Sequence, residues 1–176
     1  MPDHPRPRTR PRTRIVSSAH LAAGASPALS ELEFGLTLVL HAYHRWMARC
    51  MAASGAPLTP IEILILHTVR HRDRAKRLAD ILLVLDIEEP HVATSAIGKL
   101  EQAGLVETRR AGKEKLVSAT EQGAALCTGY AELREQLLVR AVRASGPTED
   151  ALGDIAALLR TLSGFYDQAA RSAATI

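Results

Sequence analysis

The chain has 176 residues, of which 47% are hydrophobic, 23% are charged and only 3% are aromatic. This length fits one domain, or one small module with accessory helices, and it disfavours two separate domains. No stretch reaches the roughly 18 to 20 consecutive apolar residues of a membrane span, and the N-terminus lacks the apolar core of a signal peptide, so we expect a cytoplasmic protein with no membrane partner.

Positive charge is unevenly placed, although the net charge is only +3. Residues 1–14 carry five arginines against Asp3, and two further basic clusters occupy residues 70–77 and 109–115. From residue 116 onward there are five arginines and seven acidic residues. The basic clusters therefore mark where a polyanion such as nucleic acid would bind, although basic runs of this kind also occur on plainly solvated loops.

The opening segment, residues 1–28, is predicted to be a basic, Pro/Arg-rich disordered tail, because Pro or Thr alternating with Arg cannot bury a core. It is either a basic arm that follows a DNA groove or a plain unstructured leader.

Residues 29–55 form a predicted N-terminal dimerisation helix. Ser30 and Glu33 match the S-x-x-E capping box that starts a helix, and Gly55 is placed to end it. Apolar side chains then recur at spacings of three and four, so one face must be buried. It packs either on a partner subunit or within the same chain.

A second helix is predicted to start at Thr59-Pro60, where Thr59 caps, Pro60 occupies the first turn and Glu62 closes a capping box. It ends near His71. A third, short helix begins at Arg77 after the basic run. Four of its side chains are expected to face inward, namely Leu78, Ile81, Leu82 and Leu85.

The fourth helix is predicted from about Glu89 to Ala103, with Gly104 ending it in the left-handed conformation. Its apolar face consists of Ala93, Ala96, Ile97 and Leu100. The outward face carries His91, Thr94, Ser95 and Lys99, of which Thr94 and Ser95 have short side chains. A helix with this outward face fits a groove, and packing against a partner helix is the alternative.

After Gly104 the periodicity changes, and residues 105–109 and 115–119 are predicted to form two short strands joined by a turn at 111–114. Thr120 then caps a long helix that runs to about Ala144, where Gly146 and Pro147 break it. Thr148 opens a last helix. Residues 123–176 are assigned to C-terminal dimerisation helices.

Together these elements predict a mainly α fold with a small β-hairpin wing, in which a winged helix-turn-helix at residues 56–122 is flanked by N- and C-terminal dimerisation helices. At this point the sequence resembles the MarR family of transcriptional regulators over residues 31 to 170. The resemblance rests on four segments in order, namely Leu58-Thr59-Pro60, Arg77-Leu78-Ala79-Asp80, Lys99-Leu100-Glu101-Gln102-Ala103-Gly104-Leu105-Val106 and Leu116-Val117-Ser118-Ala119-Thr120-Glu121-Gln122-Gly123.

The resemblance implies that the fourth helix lies in the major groove of double-stranded DNA, that the wing reaches a neighbouring minor groove, and that the outer helices form a homodimer. His91, Thr94 and Ser95 are then expected to face bases, and Lys76, Arg77 and Lys99 to contact phosphates. The wing supplies four further candidates for phosphate contact, namely Arg109, Arg110, Lys113 and Lys115.

Two departures from the family pattern concern specificity. The wing segment from Arg109 to Lys115 is short and lacks the Asp-x-Arg element that family wings usually hold near the tip. The outward face of the fourth helix has no arginine, so bidentate base recognition is missing. Sequence specificity is then expected to depend more on DNA shape.

Other chemistries have little support in the sequence. His67 and His71, like His41 and His44, have a spacing that could hold a metal, but no cysteine or carboxylate completes a ligand pattern, so we predict no metal and no cofactor. Cys50 and Cys127 are expected to pack in helices. No phosphate loop, GxSxG or HExxH motif occurs, so we do not expect an enzyme.

The predicted function is DNA-binding transcriptional regulation, as a repressor by family habit, by a homodimer on a pseudo-palindromic site. A small-molecule effector of unknown identity would bind between the dimerisation helices and the DNA-binding lobes. The alternative is a winged-helix module that binds another protein and binds DNA weakly or not at all.

Overall fold

A computed structural model describes residues 14–176 of the chain, and the predicted tail up to residue 13 lies outside them. The described residues are mostly helical with one small antiparallel sheet. The helices and strands, in order, are α1 (Ala19–Ala22), α2 (Pro27–Ala53), α3 (Pro60–Arg70), β1 (Lys76–Arg77), α4 (Leu78–Leu85), α5 (Pro90–Gln102), β2 (Val106–Ala111), β3 (Glu114–Ala119), α6 (Glu121–Leu133), α7 (Arg140–Ser145) and α8 (Glu149–Ala173). A 3₁₀ turn covers His71–Asp73, and a π-helical segment, Arg134–Val139, joins α6 to α7.

Helical structure begins earlier than the sequence predicts. The assignment of the first helix start to Ser30 is wrong, because α2 begins at Pro27 and Ser30 lies inside it. The Ser30 hydroxyl is buried and donates to the carbonyl oxygen of Leu21, 2.9 Å away, which ties α2 to α1. Part of the segment predicted to be unstructured, residues 19–28, therefore carries helical turns.

The start of α3 is formed as predicted. The Thr59 amide donates to Glu62 Oε2 at 2.8 Å, the Thr59 side chain accepts from the backbone of Glu62, and Pro60 occupies the first turn. These contacts satisfy amide groups that a helix start leaves without an intrahelical partner. They also fix the Glu62 carboxylate at the N-terminus of α3.

One hydrophobic core holds the central lobe together, and α3 runs through it. Helix α5 packs on α3 with the four residues predicted for its inner face, all of which are buried. The largest fully buried side chains are Met47, Met51, Ile63, Ile65, Leu66, Val69, Ile81, Ile97, Leu100, Leu105 and Val117. Because α5 buries only this face, its other face is left for contact with something else.

The hairpin is confirmed, and it belongs to a three-stranded sheet in the order β1-β3-β2. Strand β1 was not predicted. Lys76 and Arg77 were expected at the start of the third helix. Instead both residues pair with β3, Lys76 with Val117 and Arg77 with Leu116. Arg77 also precedes the first residue of α4 as its N-cap.

Glycine occupies two sharp turns of the winged helix domain and one position of close backbone approach. Gly104 ends α5 with a φ of 71°, as predicted, and Gly112 turns the hairpin with a φ of 63°. At Gly123 the first turn of α6 lies against the end of α5, so a Cβ there would overlap the carbonyl oxygen of Leu105. The wing is thus held at its base by a close backbone approach.

The long C-terminal helix continues as predicted as far as Ser145, but it is not purely α-helical. The π-helical segment interrupts it after Leu133, and no sequence signal marked this change. Thr148 caps α8, accepting a hydrogen bond from the Ala151 amide at 3.3 Å. The hydroxyl of Tyr166 donates to Glu33 Oε1 at 3.2 Å, which links α8 to α2.

The outer helices leave much of their apolar surface uncovered within a single chain, although Met47, Cys50 and Met51 near the end of α2 are buried in the core. Helix α8 has no buried residue. Large apolar side chains are exposed on both outer helices, namely Leu38, Val39, Leu40 and Tyr43 of α2, and Ile155, Leu158, Leu159, Phe165 and Tyr166 of α8. None of the helices in residues 14–176 combines the length and apolar character that crossing a membrane requires.

Candidate nucleic-acid interface

Helix α5 presents a polar face to solvent. His91, Thr94, Ser95 and Lys99 are all exposed, while Ala93 and Ile97 on the other side are completely buried. The division follows directly from the spacing of apolar residues along the sequence. The face proposed from the sequence to read DNA is therefore accessible.

The first turn of this face is partly engaged in local contacts. The Thr94 hydroxyl donates to the Pro90 carbonyl oxygen at 2.9 Å, and His91 Nε2 lies 3.3 Å from Glu89 Oε2. Both contacts join groups that are exposed, so a ligand can displace them at low cost. The Glu89 carboxylate places a negative charge next to His91, so His91 would meet a phosphate less readily than a base edge.

Lys99, two turns further along α5, is engaged by a buried acid. Its ammonium nitrogen lies 3.5 Å from Glu62 Oε1, and the Glu62 side chain is only 7% exposed against 65% for Lys99. Glu62 is one of two polar or charged residues that are buried in the described part of the chain. This contact links the outward face of α5 to the start of α3.

The basic side chains of the wing are divided between its two faces. Arg110 pairs with Lys115 across the strands, and alternation places both on the face that carries Val117 and Thr108. This face is turned toward α5, because Val117 is buried and the Thr108 hydroxyl donates to Glu101 Oε1 at 2.6 Å. The hairpin therefore carries two cations on the same face from which Thr108 contacts α5.

Arg109 lies on the opposite face of the wing. It is paired with Leu116, which is in turn paired with Arg77 of β1, so the two arginines flank Leu116 across the sheet. Lys113 is exposed in the turn at the tip. Sequence reasoning treated residues 76–77 and the wing as separate clusters, and strand β1 joins them in one sheet.

The two basic residues of β1 already have partners within the chain. Lys76 Nζ donates to the carbonyl oxygens of His71 at 2.6 Å and Arg74 at 3.1 Å. Desolvation by burial lowers the pKa of Lys76, and the charges of Arg74 and Arg72 lower it further. This ammonium group closes the turn after α3, where two left-handed residues, Arg72 and Asp73, reverse the chain.

Arg77 forms a bidentate pair with an acid of α4. Its Nε and Nη2 atoms donate to the Asp80 carboxylate at 2.9 and 2.7 Å, and Nε lies 3.9 Å from Glu114 Oε2 at the wing. The hydrogen bond from Arg77 lowers the pKa of Asp80 and raises the pKa of Arg77. Asp80 lies only three residues after Arg77, whereas Glu114 is distant in the sequence and the charge runs alone did not indicate it.

A cavity of about 460 Å³ lies between α2, α3 and α6. Three aromatic residues, Tyr43, Trp46 and Tyr130, contribute to its wall, together with His67 and Arg134. The His67 ring packs edge-on against Tyr130 at 4.8 Å, and burial lowers the pKa of His67. Its Nε2 atom is buried without a hydrogen-bond partner, so a polar group of a ligand could satisfy it.

A second cavity, of about 770 Å³, lies between the end of α3, β1 and α4, and it shares Leu64 and His67 with the first. Its wall combines exposed apolar residues of α4, Leu83 and Val84, with the basic side chains of Lys76 and Arg77. These two cations therefore border a hollow as well as the outer surface.

The histidines and cysteines form no metal centre in residues 14–176, where no group of three possible ligands comes together. Cys50 and Cys127 are both buried as free thiols, and desolvation raises the pKa of each. A raised pKa lowers the fraction of reactive thiolate, which fits the packing role expected from the sequence.

Residues 58–123 match a protein family described as a winged helix DNA-binding domain. No curated protein sequence matches the chain. Among solved structures, a MarR mutant from Escherichia coli in complex with operator DNA is similar, with a TM-score of 0.65 and 19% identity over 80% of this chain and 99% of that one.

Two Rhodococcus proteins have the same fold. A MarR-family transcriptional regulator from Rhodococcus sp. RHA1 gives a TM-score of 0.64 at 16% identity, covering 80% of this chain and 95% of the other. CouR from Rhodococcus jostii RHA1, solved with p-coumaroyl-CoA bound, gives 0.63 at 17% identity, covering 74% and 90%. The winged helix fold and its flanking helices are thereby confirmed.

Proposed function

Because this chain carries a winged helix DNA-binding domain in the fold of MarR-family transcriptional regulators, we propose that it is a DNA-binding regulator of that type. The single observation that carries the proposal is the position of Arg110 and Lys115, on the wing face turned toward the exposed polar face of α5. A groove-sized helix and a cationic hairpin side by side suit a DNA duplex, which offers a groove flanked by phosphates.

In this proposal His91, Thr94 and Ser95 face base edges in the major groove. Arg109, Arg110, Lys113 and Lys115 neutralise phosphates, and the short wing follows the backbone. Lys76 and Arg77 border the same sheet and add to its positive field. Because α5 offers no arginine for bidentate base contacts, sequence preference depends on DNA shape to a larger extent.

The experiment is a salt titration with the full chain and a mixed-sequence duplex. Phosphate contacts release counterions, so log Kobs should fall linearly with the logarithm of the salt concentration. The slope should steepen by about 0.9 for each phosphate contact. The double variant Arg109→Ala, Lys113→Ala, which removes two exposed cations of the wing, should flatten the slope. Arg160→Ala, which removes an exposed arginine from α8, is the matched control and should leave it unchanged. Absent or salt-independent binding would favour the protein-binding alternative.

We further propose that the active form is a homodimer, in which a second copy covers the exposed apolar side chains of α2 and α8. Contiguous apolar surface of this kind is normally buried in an interface. A two-fold dimer would place two copies of α5 on half-sites of a pseudo-palindrome roughly 34–36 Å apart. In the DNA-bound form it would act as a repressor in the cytoplasm.

The cavity between α2, α3 and α6 is the proposed effector site. It lies between α3 of the winged helix domain and the helices α2 and α6 that we assign to dimerisation, and its aromatic wall, Arg134 and the unpartnered His67 Nε2 suit an aromatic acid. CouR, which has the same fold, binds an aromatic acyl-CoA. A ligand here would contact helices of both parts and so could alter their relative position.

A further inference from the structure

The buried carboxylate of Glu62 joins the start of α3 to the face of α5 that is proposed to contact DNA. Its Oε2 atom accepts the Thr59 amide at 2.8 Å, and its Oε1 atom faces Lys99 Nζ at 3.5 Å. The first contact belongs to the capping box and holds the carboxylate in place. The second contact connects this carboxylate to Lys99 of α5.

Burial makes the two partners of this contact unequal. The Glu62 side chain is 7% exposed, so little water reaches its carboxylate, whereas the Lys99 side chain is 65% exposed. An isolated buried charge is costly, and a cation at its open side offsets part of that cost. Glu62 therefore holds the Lys99 ammonium at one place on the surface of α3, and with it the third turn of α5.

Lys99 also shares a row with two residues assigned to the reading face. His91, Ser95 and Lys99 follow one another at intervals of four, so they lie along one side of α5. A rotation of α5 about its own axis would move all three together. The buried face of α5 sets its general orientation, and holding Lys99 against Glu62 adds a second restraint on the direction in which His91 and Ser95 point.

We propose that Lys99 is a positioning residue, which acts through the buried Glu62 to set the rotation of α5, and that it contributes no phosphate contact of its own. This inference rests on the proposed function, since it concerns how α5 is presented to DNA. It differs from the assignment of Lys99 as a phosphate contact in one sharp respect. If Lys99 contacts phosphate, freeing it from Glu62 strengthens DNA binding or leaves it unchanged. If Lys99 positions α5, freeing it weakens specific binding.

The test compares Glu62→Gln, Lys99→Gln and the double variant, each as the full chain. Glu62→Gln keeps an oxygen acceptor for the Thr59 amide and removes only the charge. The probes are a duplex selected by the wild-type chain from random sequences and a scrambled duplex of equal length. Positioning predicts that each single variant loses about tenfold in affinity for the selected duplex, equal to roughly 1.4 kcal/mol. The affinity for the scrambled duplex should equal that of the wild-type chain.

Two further results separate the two roles. Positioning predicts an unchanged salt slope for Lys99→Gln, and a double variant no weaker than either single variant. Lys99→Arg should restore binding. Lys113→Gln, at the exposed wing tip, is the matched comparison and should reduce the slope by about 0.9 if it loses one phosphate contact. Unchanged or tighter binding by Glu62→Gln, or a reduced slope for Lys99→Gln, would overturn the inference.

A measurement without DNA keeps this inference separate from the proposed function. Amide hydrogen exchange should be faster in α5 in both single variants, and the thermal midpoint should fall more for Lys99→Gln, which leaves the buried Glu62 carboxylate without its cation, than for Glu62→Gln. If the wild-type chain binds no duplex, the proposed function fails, and the exchange result still decides whether Glu62 and Lys99 hold α5. Unaltered exchange in α5 would refute the coupling. If Glu62→Gln does not fold, Lys99→Gln and Lys99→Arg carry the same comparison.

Discussion

Arg110 of β2 lies directly opposite Lys115 of β3, so the wing pairs two positive charges across neighbouring strands. Like charges in this position oppose strand pairing. Other contacts in the same sheet are attractive, since the Ser118 hydroxyl donates to Glu107, the residue opposite it, and Arg77 lies near the Glu114 carboxylate. The repulsion between Arg110 and Lys115 therefore destabilises the wing locally, and an anionic ligand bound between them would relieve that repulsion.

The first prediction concerns this pair. The double variant Arg110→Ala, Lys115→Ala should unfold at a slightly higher urea concentration, by about 0.2–1 kcal/mol in free energy, because a repulsion is lost. Its affinity for duplex DNA should fall, and the slope of log Kobs against log salt should decrease by about 0.9 per lost phosphate contact. Arg160→Ala serves as control. A variant that is destabilised and binds DNA normally would show that the pair serves the fold instead.

The second prediction tests the homodimer. Phe165 is 69% exposed on α8 within one chain, and a charge there would be buried in the proposed interface. Phe165→Glu should shift the chain from dimer to monomer in sedimentation at micromolar concentration, since an unpaired buried charge is costly. Leu83→Glu changes an even more exposed apolar residue, at 81%, on α4 and should remain a dimer. Equal behaviour of both variants would argue against α8 as the interface.

The third prediction uses Trp46, the single tryptophan of the sequence, as a reporter. Trp46 lines the cavity between α2, α3 and α6, so an aromatic acid such as 4-hydroxybenzoate bound there should change its fluorescence. Arg134→Gln should raise the dissociation constant read from this fluorescence change by about tenfold or more, because a hydrogen bond to a charged group contributes about 1.5–3 kcal/mol. Arg160→Gln should have no effect. Fluorescence that stays constant at millimolar ligand would exclude this class of ligand from the cavity.

The fourth prediction concerns pH. Burial lowers the pKa of His67 in the folded chain, so the unfolded chain takes up this proton first as pH falls. The contribution of neutral His67 to the free energy of unfolding is therefore fully present above the pKa of the unfolded chain, about 6.5. It is lost as pH falls from there through the lower pKa of the folded chain. His67→Phe keeps the ring packing on Tyr130 and removes the titration. Its thermal midpoint should decline less between about pH 7 and pH 5. Equal declines would show that protonation of His67 is not disfavoured.

Local signals predicted much of this fold. Thr59, Pro60 and Glu62 identify the start of α3 because all three contacts lie within four residues, and the spacing of apolar residues in α5 separates its buried and exposed faces. The start of α2 was misplaced because Ser30 and Glu33 fit a capping box, while Ser26 and Pro27 give a weaker signal three residues earlier. A local pattern cannot reveal that Leu21 folds back to occupy the Ser30 hydroxyl.

The rest of the site depends on contacts between distant segments. Strand β1 has two residues, too few to show alternation, and it is a strand only because β3 lies beside it. Likewise, Lys99 and Glu62 are 37 positions apart, so no spacing rule connects them. The sequence could therefore indicate which side chains are candidates for DNA contact, but it could not indicate which of them the protein already uses to hold its own elements together.

The π-helical segment Arg134–Val139 has a consequence for how the two halves of a dimer would be set apart. A π turn holds one residue more than an α turn, and one residue corresponds to about 100° of rotation along a helix. Deleting a residue there would swing α7 and α8 around the axis of α6 while leaving the winged helix domain untouched. In the proposed dimer, the distance between the two copies of α5, and hence the length of the palindrome they accept, would depend on this segment, which lies outside both winged helix domains.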